Sequence, residues 1–260
     1  MADVQWLCAP ERAGRGSRTP AARATADWIV SQLRAAGFNP IAEQPIQALP
    51  GQVNIVAATT MRSGAAVVVM AHYDHLGTID GAVYPGANDN ASGVAVALAV
   101  AREVMARHTH DRIVFIFTGG EEVDLLGARA YIARPLMGLG DIRVVYNLDM
   151  VGTPLFGNDA QLAAVGLPDD VDIAEAATAA ARDAGLSLLA VRPGLLKLLG
   201  EDLRSDDWIF RAAGVLAIHF STGLTDTYHR PTDTPDRLSR PQLVRVARFL
   251  RTLVGTTPPR

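Results

Sequence analysis

Six side chains of the kinds that hold or use a metal ion recur along this chain: His72, Asp89, Glu121, Glu122, Asp149 and His229. Each stands where an apolar run stops or a turn begins. Imidazole nitrogens and carboxylate oxygens are the ligands of zinc and its neighbours. The five residues His72, Asp89, Glu122, Asp149 and His229 make a donor inventory sufficient for two ions, with Glu121 beside them as a base. Metals that polarise a carbonyl and sharpen a water are tools of hydrolysis, so the set predicts a metallohydrolase.

Read singly, each piece leaves a plainer alternative open. In the run Ala71-His72-Tyr73-Asp74-His75 an extended backbone turns positions 72 and 74 to the same side. His72 can then bind metal through one nitrogen while Asp74 accepts from the other and fixes the tautomer; a purely structural pair would read the same way. Asp89, in the turn Gly86-Ala87-Asn88-Asp89-Asn90, can cap the helix that follows or bridge two ions about 3.5–4 Å apart. Glu121 and Glu122 can be helix N-terminal charge, or one can bind metal while the other takes a proton from water. Asp149 follows an apolar run, where an unpartnered carboxylate is costly. His229 lies in a polar loop. His75 reads as packing beside the pocket, His219 as a satisfied core residue, and His108 and His110 as a solvated turn.

The elements that must position these residues are legible from periodicity. Runs at 53–58, 65–70, 112–118, 142–148 and 215–220 are β-branched and almost continuously apolar, as strands covered on both faces are. Helical patterns at 91–107, 121–133, 171–184 and 241–254 alternate with them. A first helix is expected over 19–36, capped by Thr19, with Pro20 at its first position, Gly37 at its end and Ala26, Ile29, Val30 and Leu33 as its apolar stripe. This alternation predicts an α/β three-layer sandwich, a mixed, mostly parallel central sheet with helices on both faces. Sites in such sheets gather beyond the carboxyl ends of strands, where His72, Glu121, Glu122 and Asp149 fall. No linker divides the chain, so 1–260 reads as a single domain.

The bulk numbers exclude other classes. A net charge of −3 offers no basic face to nucleic acid. The most apolar stretch, 94–104, is broken by Arg102 and Glu103 and falls short of the roughly 20 residues of a membrane span. No apolar run of signal-peptide length opens the chain, so a cytoplasmic protein, or one exported with its leader removed, is expected. Cys8 is the single cysteine and allows no internal disulfide. Neither a Gly-x-Ser-x-Gly elbow nor a phosphate-binding P-loop occurs.

Five strings in order, AHYDHLG, GANDNASG, TGGEEVDLLGA, NLDMVG and YHRPTDT, resemble the di-zinc aminopeptidase family, which includes bacterial leucyl aminopeptidases and, more distantly, glutamate carboxypeptidase and glutaminyl cyclase. The resemblance runs from about residue 19 to the C-terminus. It implies two Zn2+ per chain, with Mn2+ or Co2+ as substitutes. His72 and Asp149 would complete one site, Glu122 and His229 the other, with Asp89 bridging and Glu121 as general base. It also implies a cis peptide at Asp89–Asn90 and a zinc-exopeptidase domain that removes N-terminal residues from peptides with a free amino terminus. In such a reaction Tyr228 is a candidate donor to the developing oxyanion, and Phe220 with residues 195–199 reads either as the lining of a side-chain pocket or as a loop that covers the core. One departure stands out. Ser205-Asp206-Asp207-Trp208 occurs where the family often has Ser-Asp-His, so Asp207 replaces a histidine near the entrance, where it either bears on substrate orientation or is an acid at the N-terminus of the helix that follows. A single-zinc, glutaminyl cyclase-like acyltransferase and a metal-free binding module are the alternatives. With no inserted lid in view, a compact monomer with an open cleft is expected.

Overall fold

Four apolar strands lie parallel at the centre of the molecule and bring their carboxyl ends to one edge. The computed structural model describes residues 1–60, 64–107, 112–168, 171–192 and 204–257. Among them, the strands are β1 Ile41–Pro45, β2 Val53–Ala58, β3 Ala66–His72, β4 Gly77–Ile79, β5 Ala82–Tyr84, β6 Ile113–Thr118, β7 Ile142–Leu148, β8 Gln161–Val165, β9 Ser187–Val191 and β10 Ala217–Ser221. The helices are α1 Ala2–Leu7, α2 Pro20–Ala35, α3 Gly93–Ala106, α4 Leu126–Ala133, α5 Val171–Asp183, α6 Asp206–Ala212 and α7 Arg240–Thr256. The main sheet has the order β1-β2-β6-β3-β7-β10-β8-β9. β6, β3, β7 and β10 run parallel, while β2 joins β6, and β8 joins β10, antiparallel. The sheet is therefore mixed and mostly parallel.

Strand β3 shows why the sheet needs cover on both sides. Every residue from Ala66 to His72 is buried. Because successive side chains alternate, Val67, Val69 and Ala71 enter one apolar layer with Ile29 of α2, Leu98 of α3 and Phe249 of α7. Ala66, Val68 and Met70 enter the other, with Tyr131 of α4 and Phe210 of α6. Helices pack on both faces, giving the three layers expected.

Local differences from the sequence reading have physical causes. The helix expected from residue 121 begins at Leu126. Asp124 and Leu125 take φ of 67° and 57°, left-handed conformations a helix cannot contain, so Glu121 and Glu122 lie on a turn. Thr19 does not cap α2 with its side chain; its hydroxyl instead donates to the Gly16 carbonyl at 2.7 Å. Gly37 does end the helix, at φ 99°. Strands β1 and β9 sit at the two sheet edges with mostly exposed or half-exposed side chains, which leaves little apolar pattern to read. Among the described residues no helix is long and apolar enough to cross a membrane.

Candidate metal centre

The carboxyl ends of β3, β6, β7 and β10 deliver the candidate ligands to one point. His72 is the last residue of β3, Asp149 follows β7, Glu121 and Glu122 follow β6, and His229 lies in the loop after β10. Asp89 arrives from the irregular turn before α3, and the peptide bond joining it to Asn90 is cis, as the resemblance implied.

Asp89 is shared between two groups. Its Oδ1 lies 3.3 Å from His72 Nε2, which is also 3.4 Å from Asp149 Oδ1. Its Oδ2 lies 3.3 Å from His229 Nε2, which is also 3.3 Å from Glu122 Oε2. His72, Asp89 and Asp149 thus converge on one point. Glu122 converges with Asp89 on a second, where His75 is also within reach. All five sequence-predicted ligands are brought together.

The tautomer of His72 follows from its neighbours. Nδ1 faces the backbone carbonyl of Asp74 at 3.2 Å, which can only accept, so Nδ1 keeps its proton, and Nε2, facing the Asp89 and Asp149 carboxylates, is the nitrogen whose proton a cation would displace. That is the nitrogen a cation requires. The expected pairing with the Asp74 carboxylate is looser, at 3.8 Å, because that carboxylate is engaged elsewhere. Its Oδ2 accepts the Ser17 hydroxyl at 2.6 Å and its Oδ1 the Glu121 N–H at 3.1 Å. Asp74 therefore holds the Glu121 turn in place as well as standing behind His72. Ser17 was not visible as a site residue in the sequence, since only the fold brings the N-terminal segment to Asp74.

The charge balance favours a cation. Asp89, Glu121, Glu122 and Asp149 crowd one spot, and unpaired carboxylates out of water are costly. Burial works against ionisation of Asp89, yet hydrogen bonds from His229 and His72 hold its carboxyl below the usual range. Burial and the nearby Asp89 oppose ionisation of Glu122, but His229 and His75 outweigh them and bring it down. Burial also disfavours charge on His229, and the Asp89 and Glu122 carboxylates reverse that, pushing it up to about 10. In this structure histidine protons thus supply the positive charge that the carboxylates demand. A divalent ion supplies it at the same points with both nitrogens bare, and the set of two imidazoles and three carboxylates fits zinc.

Glu121 is different. Burial, strengthened by Asp149, Asp206 and Glu122 and opposed by His72, holds its carboxyl well above the ordinary range. It lines a small cleft with Asp89, Asp149, Tyr228 and His229. The Tyr228 ring stacks on His229, with centroids 3.8 Å apart. Beneath the cleft, Asp206 accepts a hydrogen bond from the Thr118 hydroxyl, and burial pushes its carboxyl up to about 7.

Neither Phe220 nor Asp207 lines the cleft, and Asp207 stands in the first turn of α6, as the plainer reading had it. Phe220 is fully buried and packs edge-on against Phe249 at 5.0 Å. The two-residue period of β10 turns His219 and Ser221 to the cleft and Phe220 into the apolar layer. Asp207 is also buried, with its Oδ1 3.1 Å from His219 Nδ1 and its Oδ2 2.5 Å from Arg211. It lies behind His219 instead of lining the entrance. The apolar stretch 195–199 and the histidines at 108 and 110 lie outside the described residues. His75, read from sequence as packing beside the pocket, is instead in the centre, 2.6 Å from Glu122; its closeness to His72 in the chain was the available signal.

Comparison with known proteins gives the family and the fold. The profile of Peptidase family M28 matches residues 54–254. The chain is 32% identical over 185 residues to aminopeptidase YwaD of Bacillus subtilis, covering 68% of this chain and 38% of that protein. It is 27% identical to the alkaline phosphatase isozyme conversion protein of Escherichia coli, covering 85% of this chain and 73% of that one. The chain thus spans well under half the length of YwaD. Among solved structures, the LapA aminopeptidase of Legionella pneumophila superposes with a TM-score of 0.83 at 18% identity, over 100% of this chain and 71% of that one. BSAP, a zinc aminopeptidase of Bacillus subtilis, superposes with a TM-score of 0.64 at 28% identity, over 78% of this chain and 49% of that one.

Proposed function

This chain belongs to Peptidase family M28, and from that premise we propose that it is a zinc-dependent aminopeptidase releasing N-terminal residues from peptides. The observation that carries the reading is the division of Asp89, one oxygen 3.3 Å from His72 Nε2 and the other 3.3 Å from His229 Nε2. His72, Asp149 and Asp89 would hold one zinc; His229, Glu122 and Asp89 would hold a second. Bound there, the ions supply Lewis-acid activation of a peptide carbonyl and of water.

The protein's own groups do the rest. The Glu121 carboxylate takes a proton from the attacking water and returns it to the leaving amine nitrogen. A carboxyl whose proton affinity burial has raised suits both transfers. Tyr228, on the cleft wall, donates its hydroxyl to the oxygen on which negative charge develops. With the ions bound, the second metal position would hold the substrate's free α-amine, so the free amino terminus selects the bond. The chain acts as one catalytic domain and as a monomer, which light scattering checks.

The test pairs zinc analysis with three substrates, leucyl anilide, its N-acetylated form and an N-terminal glutaminyl peptide. Two zincs per chain with hydrolysis of the free amine alone is expected. Hydrolysis of the acetylated form overturns the amino-terminal selection. One zinc with cyclisation of an N-terminal glutaminyl peptide replaces the reading with an acyltransferase.

A further inference from the structure

His75 is buried at the centre yet has no task in the reaction proposed above. Its Nδ1 lies 2.6 Å from Glu122 Oε1, while the other oxygen of Glu122, Oε2, faces His229 Nε2 at 3.3 Å. Asp89 Oδ2 is farther from His75 Nδ1, at 3.8 Å. The opposite nitrogen, Nε2, is buried without a hydrogen-bond partner among the described residues. The polar capacity of His75 is therefore spent on one oxygen of one ligand, and since a carboxylate only accepts, Nδ1 is the protonated nitrogen.

The ring is fixed from outside the site. The His75 N–H donates to the Arg15 carbonyl at 3.2 Å, and His75 forms a β-bridge with Gly16. The Arg15 guanidinium, fully buried, donates to the carbonyls of Tyr73 and Gly86 at 3.0 and 2.9 Å, clamping the two segments that flank the ring. Gly86 takes φ 59°, and a Cβ there would lie 2.5 Å from the ring's Cδ2. The ring thus has little freedom to swing away from Glu122.

We infer that His75 is a positioning residue for the second metal position. Its Nδ1–H holds Glu122 Oε1 and so keeps Oε2 aligned with His229 Nε2 and Asp89 Oδ2. This rests on the two-ion reading of the site. A donor that orients a ligating carboxylate typically governs metal affinity by about 10- to 100-fold.

The experiment is a zinc titration of the full chain against a chromophoric chelator, resolving the two affinities, with visible absorption of the cobalt-loaded protein alongside. In His75→Ala the weaker of the two affinities is expected to fall about 10- to 100-fold while the other stays, which also reports an intact fold. His75→Asn places an amide N–H near the position of Nδ1–H and is expected to restore most of the loss, with a cobalt spectrum like that of the wild type. Undiminished affinity in His75→Ala overturns the inference. So does failure of the asparagine to rescue, or a cobalt band that changes in it, because either makes His75 a ligand. A wild-type chain that binds one ion overturns the two-ion reading and this inference with it; a two-site wild type with an indifferent His75→Ala overturns the inference alone.

Discussion

Asp233 grips Asp89 by its backbone. Its Oδ2 accepts the Asp89 N–H at 3.1 Å, and its two oxygens accept the Asn88 N–H at 2.9 and 3.0 Å. The loop that presents His229 therefore also sets the carboxylate that His229 faces. Asp233→Ala leaves these buried N–H groups without acceptors, each costing about 1–3 kcal/mol. Thermal unfolding is expected at lower temperature, with weaker zinc binding at both positions. An unchanged zinc titration would show that the Asp89 turn holds its shape unaided.

Glu121 lines the cleft and, among the described residues, belongs to neither group of converging ligands. Glu121→Gln keeps the volume and removes the base. Turnover is expected to fall by about 10²- to 10⁴-fold with zinc content unchanged. Near-normal kcat in a zinc-replete variant would remove the base assignment.

Removing metal should cost stability as well as activity. The cluster of Asp89, Glu122 and Asp149 is shaped for positive charge, and an ion that binds only the folded chain adds about 2.7 kcal/mol at a hundredfold excess over its Kd. A lower melting temperature in chelator, reversed by zinc, is the expected result. Equal melting curves with and without chelator would mean the ions contribute nothing to the fold.

Phe220 belongs to the core between Tyr146 and Phe249. Phe220→Ala should cost about 3–5 kcal/mol and leave the ranking of aminoacyl substrates as it was. A shifted preference with little loss of stability would return Phe220 to the substrate pocket.

Burial pushes the Cys8 thiol up to about 11, against a smaller opposing effect of Arg15. A raised pKa favours the protonated form, so the reactive thiolate is scarce at neutral pH and grows as pH approaches 11. Alkylation of the folded chain at pH 8 is expected to be much slower than in denaturant, and to accelerate above pH 10. Equal rates at pH 8 would contradict the burial.

Periodicity was enough for the strands buried on both faces. The runs at 53–58 and 142–148 coincide with β2 and β7 because both are largely apolar and mostly buried, so Asn54 in one and Arg143 and Asn147 in the other do not break the pattern. It was not enough for β1 and β9, whose side chains mostly face solvent, nor for the start of α4, which Asp124 and Leu125 delay through local backbone conformation. Among site residues, His72, Glu122 and Asp149 were legible as distinctive side chains at the ends of apolar runs, and Asp89 and His229 as distinctive side chains in the turn and loop strings that carry the resemblance. Ser17 and Asp233 were not, since a serine and an aspartate in polar segments carry no such mark, and their roles exist only through contacts across the fold.

The chain's own residue order determined which side chains can bind metal and that several of them stand at the ends of parallel strands, because ligand chemistry and strand burial are both local properties. The tertiary structure alone decided the rest. Packing of β3, β6, β7 and β10 set Asp89 between two histidines, turned Phe220 inward and His219 outward, and placed His75 on Glu122. Those outcomes depend on distances between segments far apart in the chain, which arise only when the apolar layers close on both faces of the sheet.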